Sequence, residues 1–188
     1  MITIKALDPS MADIFTDYFE KLSFEHSPHW ASCFCRYYHQ DCSQEEWQRR
    51  DGDMNKAEAK AEIEAGQMGG YMAFEEEKAI GWCNINPVTS FKRLEHVLDP
   101  FVADERVAVV ICFVIHPEYR GKGLASKLLS AAIEAYRIEE YDSIIALPVV
   151  EASDIPREKQ YRGRLDMYQK LGFKSVKRGT VEVQKLIL

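Results

Sequence analysis

Val107-Ala108-Val109-Val110-Ile111-Cys112-Phe113-Val114-Ile115-His116-Pro117-Glu118-Tyr119-Arg120-Gly121-Lys122-Gly123-Leu124-Ala125 is the stretch on which the reading of this chain turns. Its first nine residues are an unbroken apolar run, which reads as a buried strand. Beyond the glycines, Leu124, Leu128, Leu129, Ala132, Ile133 and Tyr136 recur at helical spacing and define one apolar face. A strand therefore passes through His116-Pro117-Glu118-Tyr119 into a glycine-rich turn that opens a helix. Glycine lets the backbone approach a ligand without Cβ interference, and the first N–H groups of a helix have no acceptor within it. Those donors, at the positive end of the helix dipole, suit an anion, above all a phosphate or pyrophosphate.

Spacing narrows the kind of anion site. A Walker loop needs four residues between its first glycine and Gly-Lys-Ser/Thr, and a dinucleotide fingerprint needs a third glycine where this chain has Ser126. The pattern Arg/Gln-x-x-Gly-x-Gly/Ala does fit, with Arg120, Gly123 and Ala125 in register. On these residues the chain resembles the GNAT superfamily, the Gcn5-related N-acetyltransferases. The resemblance implies that Arg120, Gly121, Lys122, Gly123, Leu124, Ala125 and Ser126 hold the pyrophosphate of acetyl-coenzyme A. It also implies an α/β (α+β) fold: one domain with a central twisted mixed sheet of six to seven strands, flanked by helices, its central strands splayed.

A second stretch agrees. Ser143-Ile144-Ile145-Ala146-Leu147 reads as a short strand, and Leu165-Asp166-Met167-Tyr168-Gln169-Lys170-Leu171-Gly172-Phe173 as a helix closed by a left-handed glycine. This ending is similar to the family's Tyr-x-x-x-Gly-Phe signature, whose tyrosine protonates the leaving thiolate, and Tyr168 occupies that place. Without the resemblance, Tyr168 is a tyrosine packed on a helix face with its hydroxyl at the surface. Many members carry a coenzyme-binding asparagine seven residues earlier. Position 161 here is tyrosine, so Tyr161, Arg162 or Arg164 could supply the contact instead.

Composition bounds the class. With 188 residues, 46% hydrophobic and 29% charged, the chain suits one soluble domain spanning 1–188. A net charge of −6 argues against a nucleic-acid partner and tilts a substrate towards amines. The start Met1-Ile2-Thr3-Ile4-Lys5 lacks a signal-peptide layout and no run is long enough to span a membrane, so a cytoplasmic protein without membrane partner is expected. Five unevenly placed cysteines do not suggest a disulfide framework.

The remaining elements alternate. A strand at 2–7 precedes a helix begun at Asp8-Pro9-Ser10 with Met11, Ile14, Phe15, Tyr18, Phe19 and Leu22 inward. A helical stretch at 43–66, broken near Asp51-Gly52-Asp53, carries the solvated pairs Glu45/Arg49 and Glu46/Arg50. A hairpin pairs 71–74 with 79–85, a loop covers 86–104, and a second hairpin pairs 174–177 with 181–187 around Arg178-Gly179-Thr180. The domain thus divides into a strand and helices at 1–67, a coenzyme-binding strand, loop and helix at 107–138, and a strand, helix and hairpin at 143–188.

Three cysteines and three histidines fall between His26 and Cys42, but Cys33-x-Cys35 is tighter than zinc spacing and no Cys-x-x-Cys is present. No metal is expected, and packing or pocket lining is the preferred role. Trp30, Tyr37, Tyr38 and Trp47 then form an aromatic wall of an acceptor pocket. For the chemistry, the resemblance implies that the strand end Phe113-Val114-Ile115 pairs with the pantetheine arm and supplies an oxyanion donor. His116, read as a surface histidine, and Glu105, Glu151 and Asp154 are candidate bases near strand ends, and none is assigned. Trp82, Asn84 and Asn86 alternate onto one strand face, which reads equally as a face meeting the acceptor and as a plain sheet face. Cys112 reads as a buried strand cysteine rather than an acyl carrier. The expected function is an N-acetyltransferase acting by direct attack of a primary amine of a small molecule or peptide on acetyl-coenzyme A. A non-catalytic acyl-coenzyme A sensor and a zinc-dependent regulatory domain are the alternatives. The acceptor stays open, as does a homodimer formed through an edge strand.

Overall fold

The apolar run Val107–Ile115 is the fourth strand of a seven-stranded sheet in the computed structural model, which describes residues 1–22, 24, 30–102, 105–148, 160–177 and 182–188. The strands are β1 (Ile2–Ala6), β2 (Tyr71–Glu75), β3 (Lys78–Pro87), β4 (Val107–Ile115), β5 (Ser143–Ala146), β6 (Lys174–Lys177) and β7 (Val183–Ile187). Their spatial order is β1-β2-β3-β4-β5-β7-β6. The β4–β5 pair is parallel and the other neighbours are antiparallel. The turn expected at Arg178-Gly179-Thr180 lies outside the described residues.

The β4–β5 ladder runs only from Val107↔Ser143 to Val110↔Ala146, while β4 continues to Ile115. The central strands therefore part, as the resemblance implied. A register shift against β3 coincides with the parting: Asn84 faces Cys112 and Ile85 faces Val110, which leaves Ile111 as the extra residue. A bulge of this kind re-aims the side chains after it. Ala108, Val110 and Phe113 join the core on one face, whereas Ile111 and Cys112 both turn to the other.

Helix α5 (Leu124–Ile138) covers the first face with the six apolar residues its spacing predicted, all buried. Leu128 and Leu129 are fully buried, and each contributes roughly 2 kcal/mol from area alone. Helices α1 (Ala12–Lys21) and α3 (Gly52–Glu64) cover the second face around Trp82, Phe15 and Met72. Asp8 caps the 3-10 turn that leads into α1, and Ser43 and Asp51 cap α2 (Gln44–Arg49) and α3, so the predicted break falls between those two helices. The short helix α6 (Leu165–Lys170) ends before Gly172, which has φ 92°.

Three local expectations change. Ile14 points outward at 43% exposure, because α1 buries Phe15, Tyr18 and Phe19 around a stripe that excludes it. The stretch read as loop contains α4 (Glu95–Val102) with Pro100 inside. There Leu94 and Leu98, one turn apart, are buried with Phe91 against β4, which outweighs one missing backbone donor. Glu46 closes a capping box with Ser43 instead of pairing with Arg50, which reaches Glu58 at 2.5 Å. No described helix is long and apolar enough to cross a membrane.

Candidate active site

The glycine turn is built as an open cradle. Gly121 and Gly123 have φ of 73° and 78°, and nothing lies within 4 Å of a Cβ built on either. Gly123 caps α5 without any side-chain acceptor for the first-turn amides. Lys122 holds its ammonium 5.6 Å from the Tyr119 ring centroid. These features fit the anionic end of a coenzyme. Arg120 is turned back: its Nε donates to the Ile115 carbonyl at 3.0 Å and so closes the end of β4. Leu124 is buried, and Ala125 packs against the core beside it, so both reach a ligand only through backbone.

Between the cradle and the second face lies the wedge left where β4 outruns β5. The turn at Gln160–Gly163 sits in it. The Phe113 amide donates to the Tyr161 carbonyl at 2.6 Å, and Gly163, with φ 75°, donates to Gln160 at 3.2 Å. Tyr168 lies beneath this turn, wholly buried, with its hydroxyl donating to the Arg162 carbonyl at 2.7 Å. Burial pushes that phenol well above its ordinary range, so it stays protonated at neutral pH. Tyr168 is thus a core side chain next to the wedge, not a surface tyrosine. On the other edge of β4, the Tyr18 hydroxyl donates to the Val114 carbonyl at 2.8 Å. The sequence placed Tyr18 only on the buried stripe of α1 and offered no signal for this contact.

A pocket of about 540 Å³ opens beside the wedge on the second face. Trp30, Tyr37, Tyr38 and Trp47 line it as expected, and Tyr161 completes the aromatic wall. Tyr161 meets Trp30 edge-on at 5.3 Å, and its hydroxyl is 3.1 Å from that of Tyr38. Two guanidinium groups already cover the wall: Arg93 lies 4.4 Å from the Tyr37 ring and Arg50 5.9 Å from the Trp47 ring. Arg36, itself buried, makes a bidentate pair with Glu62 and so fastens the wall segment to α3. Cys33, Cys35 and Cys112 also line the pocket, Cys35 as a buried side chain and Cys112 as a partly exposed one. Cys112 is therefore partly accessible rather than a buried strand cysteine.

Of the strand face Trp82-x-Asn84-x-Asn86, Asn84 reaches the pocket, whereas Trp82 packs against Phe15 and Asn86 bonds both backbone groups of Gly69. Asn84 receives a hydrogen bond from Asn86 at 2.8 Å and directs its own amide to His39 Nε2 at 3.2 Å. That contact requires Nε2 to accept, so His39 is neutral here. Burial, reinforced by Arg36, lowers its pKa to about 4.

Of the candidate bases, His116 and Glu105 are described, and neither lines the pocket. His116 is half-buried rather than a surface group, 5.7 Å from the Tyr119 ring at the cradle end of β4. Burial and then Lys78 lower its pKa. Glu105 binds Lys185 at 2.7 Å and Ser143 at 3.1 Å, at the opposite end of the strand. Glu151 and Asp154 lie outside the described residues, as do His26 and His29. Among the described residues, the pocket lining holds no carboxylate or imidazole, and no group of three metal-ligating side chains converges.

The sequence model of the acetyltransferase (GNAT) family matches residues 11–173, and the chain belongs to that family. Solved structures agree on the fold. The polyamine N-acetyltransferase of Drosophila melanogaster is 10% identical with a TM-score of 0.62, over 100% of both chains. The paia N-acetyltransferase of Thermoplasma acidophilum, in complex with coenzyme A, is 17% identical with a TM-score of 0.57, over 100% of this chain and 99% of that one. The yncA protein of Salmonella typhimurium, with its cofactor acetyl-CoA, is 18% identical with a TM-score of 0.55, over 100% of this chain and 94% of that one. No curated protein matches the chain by sequence.

Proposed function

We propose that the protein transfers an acetyl group from acetyl-coenzyme A to a primary amine of a small molecule or peptide by direct attack. The observation that carries this reading is the wedge past Val110, with an open glycine cradle at one end and an aromatic pocket against its side. Acetyl-coenzyme A supplies the activated carbonyl. The amides of the Gly121–Ser126 turn, with Lys122, would hold its pyrophosphate. Phe113, Val114 and Ile115 would take the pantetheine arm on the free half of β4, once Tyr161 releases the Phe113 amide. Tyr168 would protonate the departing thiolate once its hydroxyl turns from the Arg162 carbonyl to the coenzyme sulfur. The pocket would orient the amine against that carbonyl and exclude water. Its described lining has no proton acceptor of ordinary basicity, which favours an amine that arrives as the free base or passes its proton to water.

Calorimetry with acetyl-coenzyme A, on wild type and Gly123→Asp, tests the cradle. An amine screen that follows release of coenzyme thiol tests transfer. Absence of binding by the wild type would overturn the proposal. Binding without turnover of any amine would favour an acyl-coenzyme A sensor, a reading supported by the same lack of a base.

A further inference from the structure

The Sγ atoms of Cys35 and Cys112 lie 3.6 Å apart, although the residues are 77 positions apart in sequence. Each is delivered there by irregular backbone. Phe34 and Cys35 are consecutive non-glycine residues with φ of 44° and 54°, a region that L-residues occupy only when their surroundings hold them. Those surroundings are present on both sides: Phe34 is buried against Phe19 and Arg36 is clamped by Glu62. Cys112 follows the β4 bulge and is the only residue from Val107 to Val114 that is not buried. Its exposed surface opens into the pocket that Cys35 also lines. The proposed transfer chemistry uses neither thiol.

We propose that Cys35 and Cys112 form a reversible disulfide across the pocket floor when a low-molecular-weight organic disulfide enters it. The Cys112 thiolate, the more accessible of the two, attacks one sulfur of the oxidant, giving a mixed disulfide and one free thiol. The Cys35 thiolate then attacks the Cys112 sulfur, closing the protein disulfide and expelling the second thiol. The two protein thiol protons end on the two released thiols, so two protein sulfurs are oxidised and the two oxidant sulfurs reduced. A disulfide needs a separation of about 2.05 Å, so the sulfurs must close by roughly 1.5 Å from their present contact. Burial raises the pKa of the Cys35 thiol and so leaves the first attack to Cys112, and the 3.6 Å contact, not thiol acidity, favours Cys35 in the intramolecular second step. The bond would tie the wall segment around Trp30–Gln40 directly to β4 and shut the floor of the pocket. The bond itself stands apart from the acetyltransferase reading; its effect on turnover rests on that reading.

The test treats the purified full chain with oxidised glutathione and maps tryptic peptides without reduction. Cleavage after Lys21, Arg36, Arg106 and Arg120 leaves Cys33 and Cys35 in one peptide and Cys112 alone in another. The expected product joins residues 22–36 to 107–120, and dithiothreitol separates them. Cys33→Ser should give the same link, whereas Cys35→Ser should retain glutathione on Cys112. Glutathione persisting on Cys112 in the wild type, no modification of Cys112, or a link lost in Cys33→Ser would each overturn the proposal. Turnover is read separately. Reduced protein that acetylates no amine, although it cross-links on oxidation, would sink the acetyltransferase reading and leave the disulfide standing.

Discussion

The Phe113 amide and the Tyr161 carbonyl are joined by a 2.6 Å hydrogen bond that crosses the wedge between β4 and β5. The chain itself thus occupies the strand edge on which a pantetheine arm would pair, and any ligand there exchanges one backbone partner for another. Gly163 shapes this plug: a Cβ at that position would lie 2.8 Å from Met167 Cε, at a φ of 75°. Gly163→Ala should lower stability by about 1–3 kcal/mol. In hydrogen exchange the Phe113 amide should lose protection in this variant before the amides of β2 do. Unchanged protection at Phe113 would mean that the turn does not depend on the left-handed glycine.

Tyr168→Phe separates chemistry from packing. The ring fills the same space, and the lost bond to Arg162 should cost about 1 kcal/mol of stability. If the hydroxyl is the acid, kcat should fall roughly 100-fold with KM for acetyl-coenzyme A little changed. Equal turnover by the variant would remove Tyr168 from the mechanism.

His39 makes stability depend on mild acid. In the fold its pKa is lowered to about 4, against an ordinary value of 6.5. Between those values the unfolded chain binds a proton that the folded chain refuses, so stability rises with pH there. The contribution is whole above pH 6.5 and is lost as the pH falls towards 4, amounting to roughly 3 kcal/mol. Urea denaturation across this window should therefore show a steeper loss for wild type than for His39→Gln. Parallel profiles would mean that His39 is not buried as a neutral ring.

Arg36 and Glu62 fasten the pocket wall. Glu62→Gln leaves the buried guanidinium without its main counter-charge and should destabilise the protein by about 2–3 kcal/mol, less than a fully buried pair because Glu62 is partly exposed. Replacing both partners by methionine should recover part of that loss. No recovery in the double variant, measured by urea denaturation, would show that the ion pair itself supplies the stability.

Elements whose signal is local were legible from the sequence. Val107–Ile115, Gly121-x-Gly123 and the stripe Leu124 to Tyr136 carry strand, turn and helix in adjacent residues, and all three form where their pattern puts them. The aromatic wall was legible as composition, because Trp30, Tyr37, Tyr38 and Trp47 cluster in one polar stretch. What stayed hidden depends on partners far along the chain. Pro100 hid α4, whose stability comes from Leu94 and Leu98 packing on β4 rather than from propensity. The contact of Cys112 with Cys35 follows from one extra residue in β4, and a bulge has no periodic signature. Arg50 looked like a partner of Glu46 at helical spacing, but helix α2 ends at Arg49 and frees it to cross to α3.

The short β4–β5 ladder also divides the molecule mechanically. On one side β1, β2, β3 and β4 are laced together as a meander; on the other, β5, β7 and β6 join it through a seam of four residue pairs. That seam is the natural line along which the sheet would flex. A ligand bridging β4 to the Tyr168 side would act as a brace across it, and the stiffening would be felt first in the C-terminal strands, whose seam to β4 is shorter than any junction within the meander.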